Sequence, residues 1–479
     1  MTLLLTGARI PGGCAVEIAV DGGRIVGVGE RLDAPGAERR DLAGRWVVPG
    51  LWDEHVHFTQ WAQTARRLDV SQASSAAEAA RFVRQRVEAQ PGDDVLVGFG
   101  FHDALWPDIP TRRLLDEAAG ERPVVLVAGD LHCSWLNTAA SRLFAPGSED
   151  AVLREDASFA VTSRLTATDQ ATLDRWAADA AQAAARRGVV GIVDLEYGWN
   201  IDTWSRRLAA GQGDLRVAAG FYREDLERAV ALGLRTGTPI EGTGGLLTTG
   251  PFKVISDGSL NTRTALCSHP YPDGDHGVAN LTPRELIEGM RTATRAGIEP
   301  AVHAIGDEAN HRALDAFQEL GSGGRIEHAQ LIDPDDVPRF AALGVTASVQ
   351  PEHAMDDRDV ADRLWAGRTA DTFPFAGLLR AGARLAFGSD APVAPLDPWV
   401  AISAAVFRSR DGREPWHPEN AIPVDAALDA SSRSAIVVGE PADLAVIERD
   451  PFAASADELR GMPVAATLLA GRFTHDGLG

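Results

Sequence analysis

Cysteine is scarce in this chain: three residues in 479, Cys14, Cys133 and Cys267, none of them in Cys-x-x-Cys spacing. The scarcity argues against a disulfide framework and against a thiolate zinc site, and leaves isolated buried thiols as the plain reading. Positive charge is also short. With 46 Lys+Arg against 68 Asp+Glu the formal charge is −22, which speaks against a globally basic nucleic-acid binder. No apolar run approaches the roughly 18 residues that a membrane helix needs. The opening Leu3-Leu4-Leu5 is broken by Thr6, Gly7 and Arg9, with no basic segment before it, so the expectation is a soluble cytoplasmic protein. Hydrophobic residues at 45% and charged residues at 24% lie well outside the apolar-poor range that leaves chains disordered.

The ends of the chain read as β structure. From residue 1 to about residue 48, short runs such as Thr2–Ile10, Val16–Val20 and Arg24–Val28 are separated by Gly-Gly and Asp-Gly turn pairs. The pattern returns in Ala442–Glu448 and Val464–Leu469, followed by Gly471-Arg-Phe-Thr474. Residues 1–48 and 426–479 are therefore expected to form one composite β-sandwich domain around the middle of the chain. That middle, residues 49–425, alternates apolar strands with Ala- and Arg-rich helical stretches. Eight strands can be counted, in Gly50–His57, Gly188–Asp194, Leu215–Tyr222, Phe252–Ser256, Pro300–Ala304, Arg325–Ala329, Val345–Pro351 and Arg384–Asp390. Eight βα units close a TIM-type α/β barrel, which carries its chemistry at the carboxyl ends of the strands. Residues 58–187 then form a large insertion after the first barrel strand, read as a lid or substrate-binding subdomain.

The strongest local signal is His55-Val56-His57. Alternate residues of a strand share a face, so two imidazoles at i and i+2 can hold one metal. Alone, such a pair is as readily two ordinary histidines. Its place at the end of the first strand matters because other strand ends match it: His303 ends Pro300–His303, His328 ends Arg325–His328, and Asp390 ends Phe387–Asp390. Together the four histidines and Asp390 suit zinc. Lys253, inside the apolar Phe252–Ser256, needs a partner if it is buried. Two readings stand: a salt bridge to an acid such as Asp257 or Glu327, or a carbamate, formed from carbon dioxide on an amine of depressed pKa, that bridges two metals.

Pro49–Phe58, with Lys253, His303, His328 and Asp390 in that order, resembles the amidohydrolase superfamily. Gly100–Trp106, Phe252–Arg263, His303–Asp307, Ser348–His353 and Gly388–Val393 are similar to the branch that contains N-substituted formamide deformylase, the YtcJ-like metal-dependent hydrolases. The resemblance implies a distorted (β/α)8 barrel with one or two divalent metals, zinc being expected. Carried over residue by residue, it gives His55, His57 and Asp390 to one metal, and His303 and His328 to the other. Lys253 becomes a carboxylated bridge.

The chemistry inferred is hydrolysis of a non-peptide C–N bond, of amide or formamide type, by a metal-activated hydroxide. Asp390 would serve as general base and then general acid. A lactonase or deaminase reaction on the same centre stays open, because fold and ligands do not choose the bond. A non-catalytic scaffold relative would be expected to lack several of these ligands. His132 and His353 are candidates to orient or polarise the carbonyl, or else pocket-wall histidines. Arg263 would bind an anionic substrate group or form a structural ion pair. Asp307 and Asn310 read as helix-capping or His303-orienting residues. Eleven tryptophans against three tyrosines, with Trp106 and Trp135 placed over the barrel mouth, suggest a small substrate with a bulky apolar group, although core packing is the default for any single tryptophan. A small-molecule substrate is the expected partner, with neither nucleic acid nor membrane, and a homodimer is the default assembly.

Overall fold

The computed structural model describes residues 2–478 except 71, 102, 104, 105, 129–132, 155, 167–168 and 273. Eight parallel strands form the central sheet: β1 (Leu51–Val56), β2 (Val189–Asp194), β3 (Arg216–Phe221), β4 (Leu247–Ile255), β5 (Pro300–Ala304), β6 (Gly324–His328), β7 (Val345–Val349) and β8 (Leu385–Phe387). Each lies beside its neighbour in chain order, from β8 through to β1. The eight strands coincide with the eight apolar runs of the sequence. β1 and β2 are buried at every position, as expected where a parallel sheet is covered on both faces.

The ring is closed by the segment just past β8. Asp390 N–H donates to the His55 carbonyl at 2.7 Å, and His57 N–H to the Ala391 carbonyl at 2.9 Å. This seam requires Gly388, because a Cβ there would stand 2.6 Å from the His55 Cβ. Asp53 secures it further, its Oδ1 accepting from the N–H groups of His55 (3.1 Å) and Ser389 (3.0 Å).

The connecting helices follow local rules. Pro283–Ala296, for instance, starts with a reciprocal Thr282/Glu285 capping box and ends at Gly297, whose φ of 77° is a conformation suited to glycine. Apolar residues from the helices and the strands, Phe221, Phe252, Leu314, Phe317, Ile326 and Val349 among them, build the largest core.

The chain ends form one sheet, in the order Arg472–Asp476, Val464–Leu469, Leu444–Ile447, Trp46–Pro49, Leu3–Arg9, Ala15–Asp21 and Arg24–Gly29, with Glu38–Asp41 paired to Leu3–Arg9. Its core brings Leu3, Leu5, Ile18 and Val20 against Leu444, Val446 and Leu468. Arg45–Glu448 (2.8 Å) and Arg40–Asp476 (2.5 Å) pair the two ends of the chain.

The chain divides into two compact units, Met1–Trp61 with Ala178–Gly479, and Ala62–Ala177. The second lies within the connection between β1 and β2. It has its own five-stranded sheet, ordered Val152–Arg154, Cys133–Leu136, Val124–Ala128, Leu96–Phe101, Leu68–Asp69. Helices Ala76–Ala89 and Arg112–Ala119 contribute to a separate core with Leu96, Leu126 and Trp135.

Candidate metal centre

The carboxyl ends of β1, β5, β6 and the segment after β8 deliver His55, His57, His303, His328 and Asp390 to one place. His303 and His328 sit with ring centroids 4.3 Å apart, and His55 and His328 5.1 Å apart. Nε2 of His55 and of His57 lie 3.5 and 3.4 Å from Asp390 Oδ1. The other carboxylate oxygen, Oδ2, faces His353 Nε2 at 4.0 Å. Two donor sets result, His55/His57/Asp390 and His328/His353/Asp390, each with ligand atoms within 4.8 Å of one another. His353, read from the sequence as an orienting or pocket-wall residue, thus joins a set that shares Asp390.

Hydrogen bonds fix which imidazole nitrogens are free. His55 Nδ1 lies 2.6 Å from Glu327 Oε2. Burial disfavours the Glu327 charge, yet Arg325 and His55 hold its pKa well below the usual carboxylate range, so it accepts and Nδ1 carries the proton. The Nε2 lone pair of His55 then points at the centre. His303 Nε2 lies 3.1 Å from the Gly258 carbonyl, which can only accept, so Nδ1 is its free atom. Metal-binding histidines have this arrangement as a rule, one nitrogen tethered and the other offered.

The donor set fits a divalent metal. Burial lowers the pKa of His55 to about 4 and of His303 to about 3, and takes His328 well below its ordinary value, so the three are neutral near pH 7, as ligands must be. His57 is the exception: despite burial, Asp390 raises it. Asp390 itself is held ionised against its burial by His55, His57 and His353. His57 Nδ1, His328 Nδ1 and His353 Nε2 are buried polar atoms with no hydrogen-bond partner among the described residues. Imidazoles crowded around a carboxylate with nitrogens unused are what a cation would satisfy.

Two of the donors sit on strained backbone. His328 and Asp390 adopt φ of 73° and 56°, the left-handed region that costs residues other than glycine about 1–3 kcal/mol each. Both donors lie just where their strands end.

Lys253, the single lysine of the chain, is 3% exposed on β4. Its Nζ contacts His55 Nε2 at 3.4 Å and pairs with no carboxylate among the described residues. Burial pulls its pKa down to about 8. The salt bridge to Asp257 or Glu327 is therefore not formed. Asp257 instead accepts from the N–H groups of Leu266, Ile305 and Gly306, and lies 3.6 Å from His303 Nε2. Glu327 is occupied by His55, Arg325 and Ser348.

Trp135 is fully buried and its indole N–H donates to the Thr111 carbonyl; Trp106 donates to the Ala73 carbonyl. With Phe101 they form an edge-packed cluster in the core of the Ala62–Ala177 unit, so packing accounts for them in place of the substrate wall expected from the sequence. Arg263 is exposed in the loop after β4, with φ 57°. His132 lies outside the described residues. Asn310 donates to the carbonyls of Ala304, Gly306 and Leu331, and Asp307 binds Ser268 and Arg368.

Sequence reasoning missed a charge relay behind His55. From Glu327 it runs to Arg325 (2.7 Å), on to Glu54 (3.1 Å) and out to Arg433 (2.5 Å). Alternating charges on the buried strand Gly324–His328 were the available signal. Tyr197 was also missed; it stacks on His57 at 5.6 Å and on Tyr222 at 4.7 Å.

Residues 38–475 match the model of a family described as the amidohydrolase family. The N-substituted formamide deformylase of Arthrobacter pascens is 27% identical, over 97% of this chain and 96% of its own. YtcJ of Bacillus subtilis (strain 168) is 28% identical over 96% of each chain. Among solved structures, a metal-dependent hydrolase of Pyrococcus horikoshii OT3 superposes with a TM-score of 0.76 at 25% identity, covering 95% of this chain and 99% of the other.

Proposed function

The chain belongs to the amidohydrolase family, which makes it a metal-dependent hydrolase of carbon–nitrogen bonds other than peptide bonds, and from that premise we propose that it cleaves an amide or formamide bond of a small molecule bearing an apolar group. The observation that carries this reading is Asp390, whose two oxygens face two different sets of histidines. Deformylase activity in the Arthrobacter relative supports the choice of bond. For the apolar group the support is Tyr197, 60% exposed and stacked on His57, which offers an aromatic face beside the ligands.

His55, His57 and Asp390 would hold one zinc ion; His303 and His328, with His353 within reach, would hold a second. A bound metal of this kind lowers the pKa of water to near 7 and polarises a carbonyl oxygen. Asp390, ionised, accepts the proton of the attacking water and returns it to the leaving nitrogen, so that water and amide become acid and amine. His353 orients the carbonyl from the opposite side of Asp390. Lys253 carries a carbamate: its amine adds to carbon dioxide and releases a proton, which supplies the buried position with an anion. Support for this is a buried amine that forms no ion pair with a carboxylate among the described residues.

In this reading the enzyme works in the cytoplasm as a homodimer without nucleic acid or lipid. No helix of the described residues is long and apolar enough to cross a membrane. The test is a panel of N-formyl and N-acyl amines, lactones and aminated heterocycles offered to the zinc-loaded protein. Release of free amine from the first group is expected. Turnover confined to lactones or heterocycles would move the reading to another reaction on the same centre.

A further inference from the structure

Within the Ala62–Ala177 unit lies a cavity of about 350 Å³ whose lining belongs entirely to that unit. One wall is apolar. Val97 and Phe99 alternate on the strand Leu96–Phe101, and Val127 is the register partner of Phe99 on the next strand. Phe99 leaves 37% of its surface exposed, unusual for a phenylalanine in the middle of a strand.

The other wall is cationic. Arg66, Arg67 and Arg122 line it, and among the described residues no aspartate, glutamate or histidine does. Arg122 is anchored by the carbonyls of Asp94 (2.9 Å) and Gln90 (2.6 Å). Arg66 lies over the Trp176 ring at 5.2 Å and reaches the half-exposed Asp94 carboxylate at 3.8 Å. Arg67 has no side-chain hydrogen bond or ion pair among the described residues. Trp176 adds a buried indole N–H with no acceptor among the described residues. Two nearby carboxylates, Asp93 and Asp94, against three guanidinium groups leave an excess of positive charge, in a chain of net charge −22.

We propose that this cavity binds a small organic carboxylate with an apolar body, its carboxylate on Arg67 and the Trp176 N–H and its body against Val97, Phe99 and Val127. Guanidinium and indole N–H groups match an anion that only accepts, and the hydrophobic wall excludes a small hydrated inorganic ion as the best occupant. The proposal does not rest on the reaction assigned to the barrel.

The experiment is calorimetric titration of the full zinc-loaded chain with 3-phenylpropionate and with 3-phenylpropan-1-ol, its uncharged analogue, with Trp fluorescence as a second signal. The acid is expected to bind at least about tenfold more tightly than the alcohol, the scale set by a charge-assisted hydrogen bond. Arg67→Gln and Trp176→Phe should each weaken the acid, Arg67→Gln by about tenfold or more, while leaving the alcohol unchanged. Arg67 has no partner to lose, so Arg67→Gln should keep the wild-type urea unfolding curve. His55→Ala, which disables the barrel's ligand set, should bind the acid as the wild type does. The proposal is overturned if acid and alcohol bind alike or not at all, if Arg67→Gln retains wild-type affinity, or if His55→Ala abolishes binding.

Discussion

Replacing Glu327 by glutamine exchanges one carboxylate oxygen for an NH2 group at nearly constant shape. In the native arrangement Glu327 accepts from His55 Nδ1 at 2.6 Å, from Ser348 Oγ at 2.6 Å and from Arg325 Nε at 2.7 Å. A glutamine that keeps its oxygen toward Arg325 presents its NH2 to His55, making Nδ1 the acceptor and moving the imidazole proton to Nε2. That nitrogen is the one required as a metal donor. Loss of a carboxylate that orients a metal-bound histidine costs about 10- to 100-fold in metal affinity, or about 1.4–2.7 kcal/mol. Arg325 keeps Glu54 at 3.1 Å, so the stability loss should fall below the 3–5 kcal/mol typical of a fully orphaned buried charge. Zinc affinity measured against a competing chelator, with urea unfolding of the same samples, separates the two effects. A folded Glu327→Gln protein with wild-type zinc affinity would refute the role assigned to Glu327.

Gly388→Ala should abolish metal binding at the β1–β8 seam, since its Cβ would meet His55 at 2.6 Å; zinc content reads this directly. Trp135→Ala should destabilise the insertion by about 3–5 kcal/mol, seen as faster proteolysis within residues 62–177, and it should leave zinc content unchanged. Burial opposes the charge on Glu54, but Arg433 and Arg325 hold its pKa at about 2 against an ordinary 4.5. Its contribution to stability is therefore complete above about pH 4.5 and is lost as the pH falls toward 2, a change of about 3 kcal/mol. Acid denaturation of Glu54→Gln should be correspondingly shallower; a curve with the wild-type slope would contradict this. Lys253→Met should remove the carbamate signal from the 13C NMR spectrum of protein equilibrated with labelled bicarbonate, and with one lysine in the chain no other residue of that type can supply it.

The barrel was legible because its signals are local. Eight apolar runs separated by helical stretches mark eight strands, and His55 and His57 fall on one face through the two-residue period of a strand. Strand ends gave His303, His328 and Asp390 by the same reasoning. What stayed hidden depends on pairing across the fold. Glu54, Arg325, Glu327 and Arg433 come from three distant segments, and nothing in any one segment says that their charges cancel. Tryptophans gave a misleading signal for a related reason: Trp106 and Trp135 have the composition of a pocket wall, yet their N–H groups find carbonyls inside the insertion's own core. Lys253 could have been weighted more heavily from composition alone, since a chain that uses arginine at every other cationic position keeps its one lysine on a buried strand.

The central claim is a metal centre built on Asp390, and metal content per chain tests it most directly. Elemental analysis of the purified protein, beside His55→Ala and Asp390→Asn, should give about two zinc ions in the wild type and a clear loss in both variants, most severe for Asp390→Asn because both donor sets share that residue. A wild-type protein that holds no metal, and takes up none when zinc is added, would contradict the account.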